Sequence, residues 1–379
     1  MEPRKTLLYD EHVKLGGKMA DFAGWLMPLW YKTGQSTEHH ATRNDCGLFD
    51  ICHMGEFQIE GKGSLDFMAK MLTNDLYKLV DGQAMYNFML NDHGGVVDDC
   101  IIYRFDETHW MLVVNAGDIA GDFQWLKSHV PSDVTLVNIS DEIAKIDLQG
   151  PKAPRLMTRF IDKETVAGFK FFRFLNDVDI NGMKVLVSRT GYTGEIGFEL
   201  YTDAKNALPL WHLLMEEGKD FGLLPCGLGA RDTLRTEAGL PLYGHELQTD
   251  KPAIGHPWEF AMSFESDFIG KDVLIKQKEK GIEYFVFPFI MSGRRKAMPG
   301  WEVLQNGNVI GTVLSGVISP SLENKPIGFI GVNHNLEMEA KLTFRQPGRP
   351  QEMEGSVCEI PFVPLTSRKK MTRFLEESE

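Results

Sequence analysis

The chain has 379 residues, enough for two or three domains of roughly 100–200 residues each, and 43% of them are hydrophobic and 25% charged. That composition excludes wholesale disorder and fibrous repeats. Forty Lys and Arg against 53 Asp and Glu leave a net charge of −13, which argues against general affinity for nucleic acid or anionic membranes.

No apolar run approaches the ~20 residues of a membrane span. The opening Met1-Glu2-Pro3-Arg4-Lys5-Thr6 lacks the apolar stretch of a secretory signal, so a cytoplasmic chain is expected. In chain order, the first distinctive pattern is Gly16-Gly17-Lys18-Met19-Ala20-Asp21-Phe22-Ala23-Gly24-Trp25, with Met27-Pro28 behind it. It reads as a structural Gly-rich turn between apolar anchors. Cys52-His53 invites a nucleophile or ligand reading, but no second Cys or His sits at ligand spacing. The five cysteines (46, 52, 100, 226 and 358) form no Cys-x-x-Cys, His39 and His40 are chain neighbours on different helix faces, and no metal site is expected.

Strand-like runs Met85–Leu90 and Val96–Tyr103 flank Asn91-Asp92-His93-Gly94-Gly95, a strong hairpin signal. The second run opens on Asp98-Asp99. Adjacent carboxylates on a strand point to opposite faces, so the expectation is one in solvent and one inward, where it needs a partner or its pKa rises. Met111–Val114 is another strand, ending at Asn115, and Asp118 caps a helix with an apolar face of Ile119, Phe123, Leu126 and Val130.

A second unit follows: a strand near Ala144–Leu148 broken by Gly150-Pro151, a strand Lys184–Arg189, and a loop Thr190–Gly197. The loop's glycines recur every three residues, unlike a dinucleotide fingerprint or P-loop, so phosphate cradling is not indicated. In the next strand, Phe198–Tyr201, Glu199 is unusual unless it faces a polar ligand or solvent. A helix then carries Ala207, Leu210, Trp211 and Leu214 and stops near Gly218. In Gly227–Gly239, Arg231 and Arg235 lie one helical turn apart, and spacing alone favours a surface ion-pair lattice. From Phe285 short strands separated by Pro and Gly take over, among them a core strand Phe285–Met291 and a hairpin, Trp301–Gln305 and Val309–Val313, turning at Asn306-Gly307. The boundary is placed near residue 277. The charged end, Ser367–Glu379, reads as a surface helix or a frayed tail.

Taken together, these patterns closely resemble the T-protein of the glycine cleavage system, the tetrahydrofolate-dependent aminomethyltransferase family. The resemblance runs from Thr6-Leu7-Leu8-Tyr9-Asp10 through Phe49-Asp50-Ile51-Cys52-His53-Met54-Gly55, Leu148-Gln149-Gly150-Pro151, Leu242-Tyr243-Gly244 and Ser315-Gly316 with Ser319-Pro320-Ser321-Leu322 to Pro361-Phe362-Val363. It implies an α+β fold, a three-domain cloverleaf with folate in the central opening. Residues 1–55 with 139–230 would form a first folate-binding domain, 56–138 with 231–276 a second α+β domain, and 277–379 a small C-terminal β-barrel-like domain.

The resemblance implies Asp99 as the catalytic aspartate near folate N5 and N10, and Glu199 as the pterin-gripping carboxylate. Met54, Tyr86, Asn115, Tyr192 and Arg231 would line or brace the site. The residue types suit the chemistry: a pterin edge offers two parallel donors that one ionised carboxylate accepts bidentately. Asp99 would orient N10 and stabilise positive charge on the folate. The implied donor is an aminomethyl-dihydrolipoyl arm on the lipoyl-carrying H-protein, giving methylenetetrahydrofolate and ammonia, with no metal. Three stretches depart from the family pattern: Phe171-Phe172 where an aromatic hydroxyl is frequent, Lys251–Trp258 after Tyr243-Gly244, and Leu365-Thr366-Ser367 after Pro364. The last two bear on the donor. The alternative is therefore a tetrahydrofolate-dependent demethylase taking a methyl group from a small S-, N- or O-methylated compound. A folate-binding relative that assists iron–sulfur assembly is disfavoured, since Gly239–Glu246 lacks its cysteine.

Overall fold

The computed structural model describes residues 2–376. Strands β1 (Arg4–Lys5), β2 (Lys18–Phe22) and β3 (Trp25–Trp30) form a small sheet beside helix α1 (Tyr9–Lys14). The β2–β3 turn is made by Ala23 and Gly24, both at positive φ, a conformation that glycine adopts without penalty. Helix α2 (Gln35–Asn44) leads into β4 (Cys46–Asp50), and the chain then crosses to β5 (Gly55–Gly61) in a different sheet.

That second sheet has five strands in the order β6 (Gln83–Leu90), β7 (Val96–Arg104), β8 (His109–Val114), β5, β9 (Val134–Asn138). Helices α3 (Ser64–Met71) and α4 (Ile119–Lys127) cover it, over a core that includes Phe57, Met68, Leu112 and Leu126. The β6–β7 hairpin forms as expected: Asn91 Oδ1 accepts from the N–H groups of His93 (2.9 Å) and Gly95 (3.0 Å). Asp118 caps α4 by accepting from Gly121 N–H at 3.0 Å. Val130, beyond the helix end, still packs on the same core.

The chain returns to the sheet of β4 through β10 (Ile143–Gln149), α5 (Ala153–Met157), α6 (Lys163–Gly168), β11 (Phe174–Ile180), β12 (Met183–Ser188), β13 (Gly197–Asp203), α7 (Ala207–Glu217) and β14 (Leu223–Pro225). Its order is β11-β12-β13-β10-β4-β14, and Ala207, Leu210, Trp211 and Leu214 of α7 are buried against it. Helix α8 (Leu228–Glu237) follows, then α9 (Lys271–Lys280). Strands β15 (Phe285–Met291), β16 (Glu302–Gln305), β17 (Asn308–Ser319), β18 (Lys325–Val332), β19 (Lys341–Arg345) and β20 (Glu352–Val357) close into a barrel around Phe289, Val303, Ile330 and Phe344. The fold is α+β with a closed C-terminal barrel.

Three details differ from the sequence reading. Helix α9 runs across residue 277 and stops at Gly281, whose φ of 100° no helix tolerates. Strand β17 continues past Val313 to Ser319, because a register shift between Val313 and Ser315 bends it around the barrel. The charged end is pinned: Thr366 Oγ1 accepts from Ile196 N–H at 2.8 Å, and Met371 and Leu375 sit in the core under the six-stranded sheet. Its last three residues lie outside the described ones. No helix among the described residues is long and apolar enough to cross a membrane.

A buried carboxylate joins the units. Glu237, at the end of α8, accepts from Arg43 Nη2 on α2 (2.9 Å) and from Ser319 Oγ (2.5 Å) and Ser321 Oγ (2.8 Å) at the end of β17, with His39 Nε2 3.2 Å away. Burial opposes its ionisation, yet His39, Arg43 and Ser319 hold its pKa down at about 2.

Candidate functional site

A cavity of about 1050 Å³ lies between the two sheets, α8 and the barrel. Met54, Tyr86, Asp99, Asn115, Tyr192, Glu199 and Arg231 all line it. Residues up to 177 positions apart in sequence thus share one space, reached from both sheets.

The wall built on the six-stranded sheet follows from strand periodicity. Along β10, Ala144, Ile146 and Leu148 enter the apolar core, so Lys145, Asp147 and Gln149 take the other face. Strand β13 pairs Asp147 with Glu199 and Lys145 with Tyr201, which places two carboxylates and an ammonium together out of water. Glu199 Oε2 accepts from Thr190 Oγ1 (2.6 Å) and Tyr201 OH (3.2 Å), with Tyr103 OH 2.9 Å from Tyr201 OH. Lys145 Nζ lies 3.5 Å from Glu199 Oε1 and 3.4 Å from Met54 Sδ. Burial works against ionisation of Glu199, but Lys145, Thr190 and Arg231 outweigh it and hold its carboxyl below the ordinary range.

Its neighbours go the other way. Glu56 is buried with Oε1 unpartnered, and burial pushes its pKa to about 8 despite Lys145. Burial, with Glu199 adding to it, also raises Asp147, although Arg231 Nη1 donates to Asp147 Oδ2 at 3.1 Å. His53 lines the cavity with Nδ1 unpartnered, and burial beside Arg231 drops its pKa to about 3, so the ring is neutral.

Arg231 and Arg235 do not form a surface lattice. The Arg231 guanidinium stacks 4.7 Å over the Tyr192 ring, while the Tyr192 hydroxyl donates to the Pro241 carbonyl. Arg235 is 1% exposed and donates to Glu246 Oε2 at 2.9 Å. Helical spacing fixes only that the two arginines share a face; the face here meets the cavity.

The second wall comes from the five-stranded sheet. Asp99 on β7 accepts from Tyr86 OH (2.9 Å) at Oδ2 and from Asn115 Nδ2 (2.8 Å) at Oδ1. Burial raises its pKa, with Tyr86 and Asn115 pulling against it. Asp98 does not face solvent as expected: it is 1% exposed and accepts from Asn115 N–H and Nδ2, both at 2.8 Å. The outer face of β7 is roofed by α4, so alternation takes Asp98 into a second buried layer. Burial first, and Asp99 next, raise its pKa.

The Gly16–Trp25 pattern is more than structural, since Ala20, Asp21, Phe22 and Ala23 at the β2–β3 turn line the cavity. In the loop before β13, a Cβ on Gly191 would lie 2.3 Å from Gln149 Nε2, so a side chain there would have to displace an amide that is hydrogen-bonded to Asp147, Thr190 and Thr193. Of the three departures, Phe171 and Phe172 both line the cavity, and Phe172 sits at φ 56°, a left-handed conformation costing a bulky residue roughly 1–2 kcal/mol. The altered stretch at Lys251–Trp258 is mainly a core joint: Ala253, Ile254 and Trp258 are buried, and Trp258 Nε1 donates to the Gly239 carbonyl at 2.8 Å. Pro257, Trp258 and Leu365 reach the cavity.

Sequence reasoning missed Lys145, Asp147, Glu56 and the depth of His53. The alternation Ala144-Lys145-Ile146-Asp147-Leu148-Gln149 was the available signal, but it is also the pattern of a strand with one face in water. Two basic runs reach the cavity as well. Lys296, beside Arg294 and Arg295, and the exposed Arg368, beside Lys369 and Lys370, line the cavity, as do the exposed Met298 and the 61% exposed Phe260. Among the described residues no group of three or more His, Cys, Asp or Glu is arranged to hold a metal ion.

Comparison with known proteins gives consistent results. Residues 8–266 match the family model described as the GCVT N-terminal domain. The aminomethyltransferase of Geobacillus sp. (strain WCH70) is 44% identical over 362 residues, covering 95% of this chain and 98% of its own. That of Anoxybacillus flavithermus (strain DSM 21510 / WK1) is 43% identical over 370 residues, covering 96% and 99%. The crystal structure of glycine cleavage system aminomethyltransferase T from Bartonella henselae superposes with a TM-score of 0.87 at 30% identity, over 97% of this chain and 99% of that one. The chain belongs to the aminomethyltransferase family of the glycine cleavage system, and it is a one-carbon transferase.

Proposed function

We propose that tetrahydrofolate is the acceptor in this cavity, that an aminomethyl group on a lipoyl-carrying H-protein is the donor, and that the reaction takes place in the cytoplasm. One observation carries the reading. Two carboxylates on different sheets, Glu199 and Asp99, face one cavity of about 1050 Å³, roomy enough for a folate and a donor arm together.

The residues fit a pterin. An ionised carboxylate has roughly four lone-pair sites; Thr190 and Tyr201 donate to Oε2 of Glu199, with Tyr103 OH 3.4 Å from the same atom, so the capacity left for ring donors lies on Oε1. Lys145 and Arg231 keep Glu199 charged and Met54 packs against the Lys145 ammonium, while the Arg231–Tyr192 stack borders the same space. When bound, tetrahydrofolate supplies the two nitrogens, N5 and N10, that take up the carbon unit. Asp99, held at both oxygens by Tyr86 and Asn115, orients the N10 proton and faces the positive charge that develops as the carbon is transferred. The apolar lining of Phe171, Phe172 and Trp258 limits water, which would otherwise hydrolyse the aminomethyl group.

For the donor, the cations Lys296 and Arg368 lining the cavity, with exposed neighbours on both runs, suit an acidic carrier even though the whole chain stands at −13. The burial of Ala253 and Ile254 removes the main support for a small-molecule donor pocket there. The division of the chain into 1–55 with 139–230, 56–138 with 231–276, and a C-terminal unit is supported by membership of the two sheets and the barrel. The last boundary is better drawn after Gly281 than at residue 277. Purified protein given tetrahydrofolate and an aminomethylated lipoyl carrier is expected to form methylenetetrahydrofolate and ammonia in equal amounts. Methyltetrahydrofolate made from a small methylated donor, with the lipoyl carrier inert, would overturn the reading.

A further inference from the structure

Behind the Asp99 wall lies a third carboxyl. Asp122, on α4, is 3% exposed, and its carboxyl is in hydrogen-bond contact with that of Asp98. Two carboxylates in such contact and out of water do not both ionise, so the pair holds a proton. The hydrogen bonds say where. Asp98 already accepts from Asn115 N–H at Oδ2 and from Asn115 Nδ2 at Oδ1, an arrangement that favours its ionised form. The charged and titratable groups facing the pair offer Asp122 no counter-charge. They are Asp118 on the α4 cap, Asp99 and Cys100 on β7, and Tyr243 from the loop after α8, with Tyr86 and Glu246 beyond Asp99. The nearby guanidinium groups of Arg231 and Arg235 are engaged by Asp147 and Glu246.

We propose that Asp122 is a protonated positioning residue: its carboxylic acid donates to Asp98, Asp98 stays ionised and clamps Asn115, and Asn115 in turn presents its amide to Asp99. The chain of contacts is Asp122 to Asp98, Asp98 to Asn115, Asn115 to Asp99, and Asp99 to Tyr86. Burial, and after it the charge of Asp98, raise the Asp122 carboxyl far above the usual range, in keeping with that placement. The proposal rests on the reading of Asp99 as the catalytic aspartate, but the proton's location does not.

The test has two arms. In the unliganded protein at neutral pH, the infrared difference between wild type and Asp122→Asn is expected to show loss of one carboxylic-acid carbonyl band. If no such band is lost, the pair holds no proton and the proposal fails whatever the catalysis does. In turnover, Asp122→Ala deprives Asp98 of its donor, so Asp98 protonates at higher pH and releases Asn115. The expected result is a kcat lowered roughly ten- to hundredfold at pH 7, an acid limb of the kcat profile displaced upward by about one unit, and recovery as pH rises. Folate affinity should change far less. Asp122→Asn keeps a donor and should rescue both kcat and the acid limb. Asp122→Leu fills the same space without a donor and replaces the Ala variant if that cavity unfolds α4. A profile in the Ala or Leu variant that only parallels wild type, or an Asn variant as impaired as they are, overturns the positioning role. If Asp99→Asn itself leaves kcat intact, the positioning role falls with the Asp99 reading, and the infrared band still decides whether the Asp98–Asp122 pair holds a proton.

Discussion

Replacing Glu199 with Gln is the sharpest test of the pterin assignment, because it keeps the shape of the side chain and removes its charge and half its acceptor capacity. In the wild-type site two parallel pterin donors would meet an ionised carboxylate; in the variant one meets a neutral carbonyl and the other faces an amide N–H. Hydrogen bonds to charged groups contribute about 1.5–3 kcal/mol each. Losing one and weakening the other should cost about 3 kcal/mol, or roughly a hundredfold in Kd. Glu199→Gln also strands the ammonium of Lys145, 3.5 Å away and 1% exposed, and breaking a buried pair from one side costs about 3–5 kcal/mol of stability. The double variant Lys145→Met/Glu199→Gln removes both members of the pair and buries no orphan charge, so it is the variant to set against wild type. The sign of the pH dependence follows from the lowered carboxyl of Glu199. Its folded pKa is below the unfolded value of about 4.3, so its charged contribution is present throughout neutral pH and is lost only as pH falls below that. The share of affinity that depends on Glu199, read by titration calorimetry as the difference between proteins with and without it, should accordingly be flat from about pH 8 to pH 5. A folded double variant whose Kd for tetrahydrofolate lies within threefold of wild type would refute the reasoning.

Other expectations follow from the same geometry. Asp99→Asn should lower kcat by roughly 10²–10⁴ while changing the folate Kd less than tenfold, the signature of a contact made mainly in the transition state; equal losses in both would remove it from a catalytic role. Glu237→Gln leaves Arg43 and His39 facing a neutral amide, and should destabilise the chain by about 3 kcal/mol in denaturant unfolding. Because Glu237 is held at about 2, its contribution is present above the unfolded value of about 4.3 and lost as pH falls toward 2, so the variant's deficit should shrink on acidification. Charge reversal at Lys369 and Lys370 should raise KM for the lipoyl carrier and flatten its salt dependence, while free aminomethyl-dihydrolipoamide is unaffected; a KM unchanged at low salt would place the carrier elsewhere.

Much of the fold was legible because local rules act at short range. Asn91–Gly95 had to turn, Asp118 had to cap, and Ala207, Leu210, Trp211 and Leu214 could face only a core. What spacing alone left open was which polar faces meet water. Lys145, Asp147 and Gln149 alternate with apolar neighbours as on any half-exposed strand, and only the pairing of β10 with β13 beneath the other sheet buries them. Arg231 and Arg235 misled for the same reason, as did Asp98, whose outward face is covered by a helix contributed 20 residues later. The resemblance supplied Asp99 and Glu199 directly, but not the groups that set their charge, because those lie one contact further from the cavity.

Those further groups explain how two carboxylates, the buried Glu199 and the half-buried Asp99, can be kept ready in one cavity. Around Glu199 the charge is managed by cations: Lys145 and Arg231 lie among three carboxyls, and the proximity of Lys145 and the Thr190 hydroxyl selects Glu199 as the ionised one while Glu56, with an orphan oxygen, is pushed to about 8. A grip on a donor edge needs that fixed negative charge, and the ammonium at 3.5 Å secures it without occupying the cavity. Around Asp99 no such cation is engaged, and the charge is managed by a proton on Asp122, two layers back. A carboxylate meant to face a charge that appears only in the transition state should not be neutralised beforehand by a lysine, since a permanent counter-ion would be lost attraction at the moment of transfer. The two walls thus use opposite means because they meet opposite requirements, one to hold a ligand in its ground state and the other to respond when it reacts.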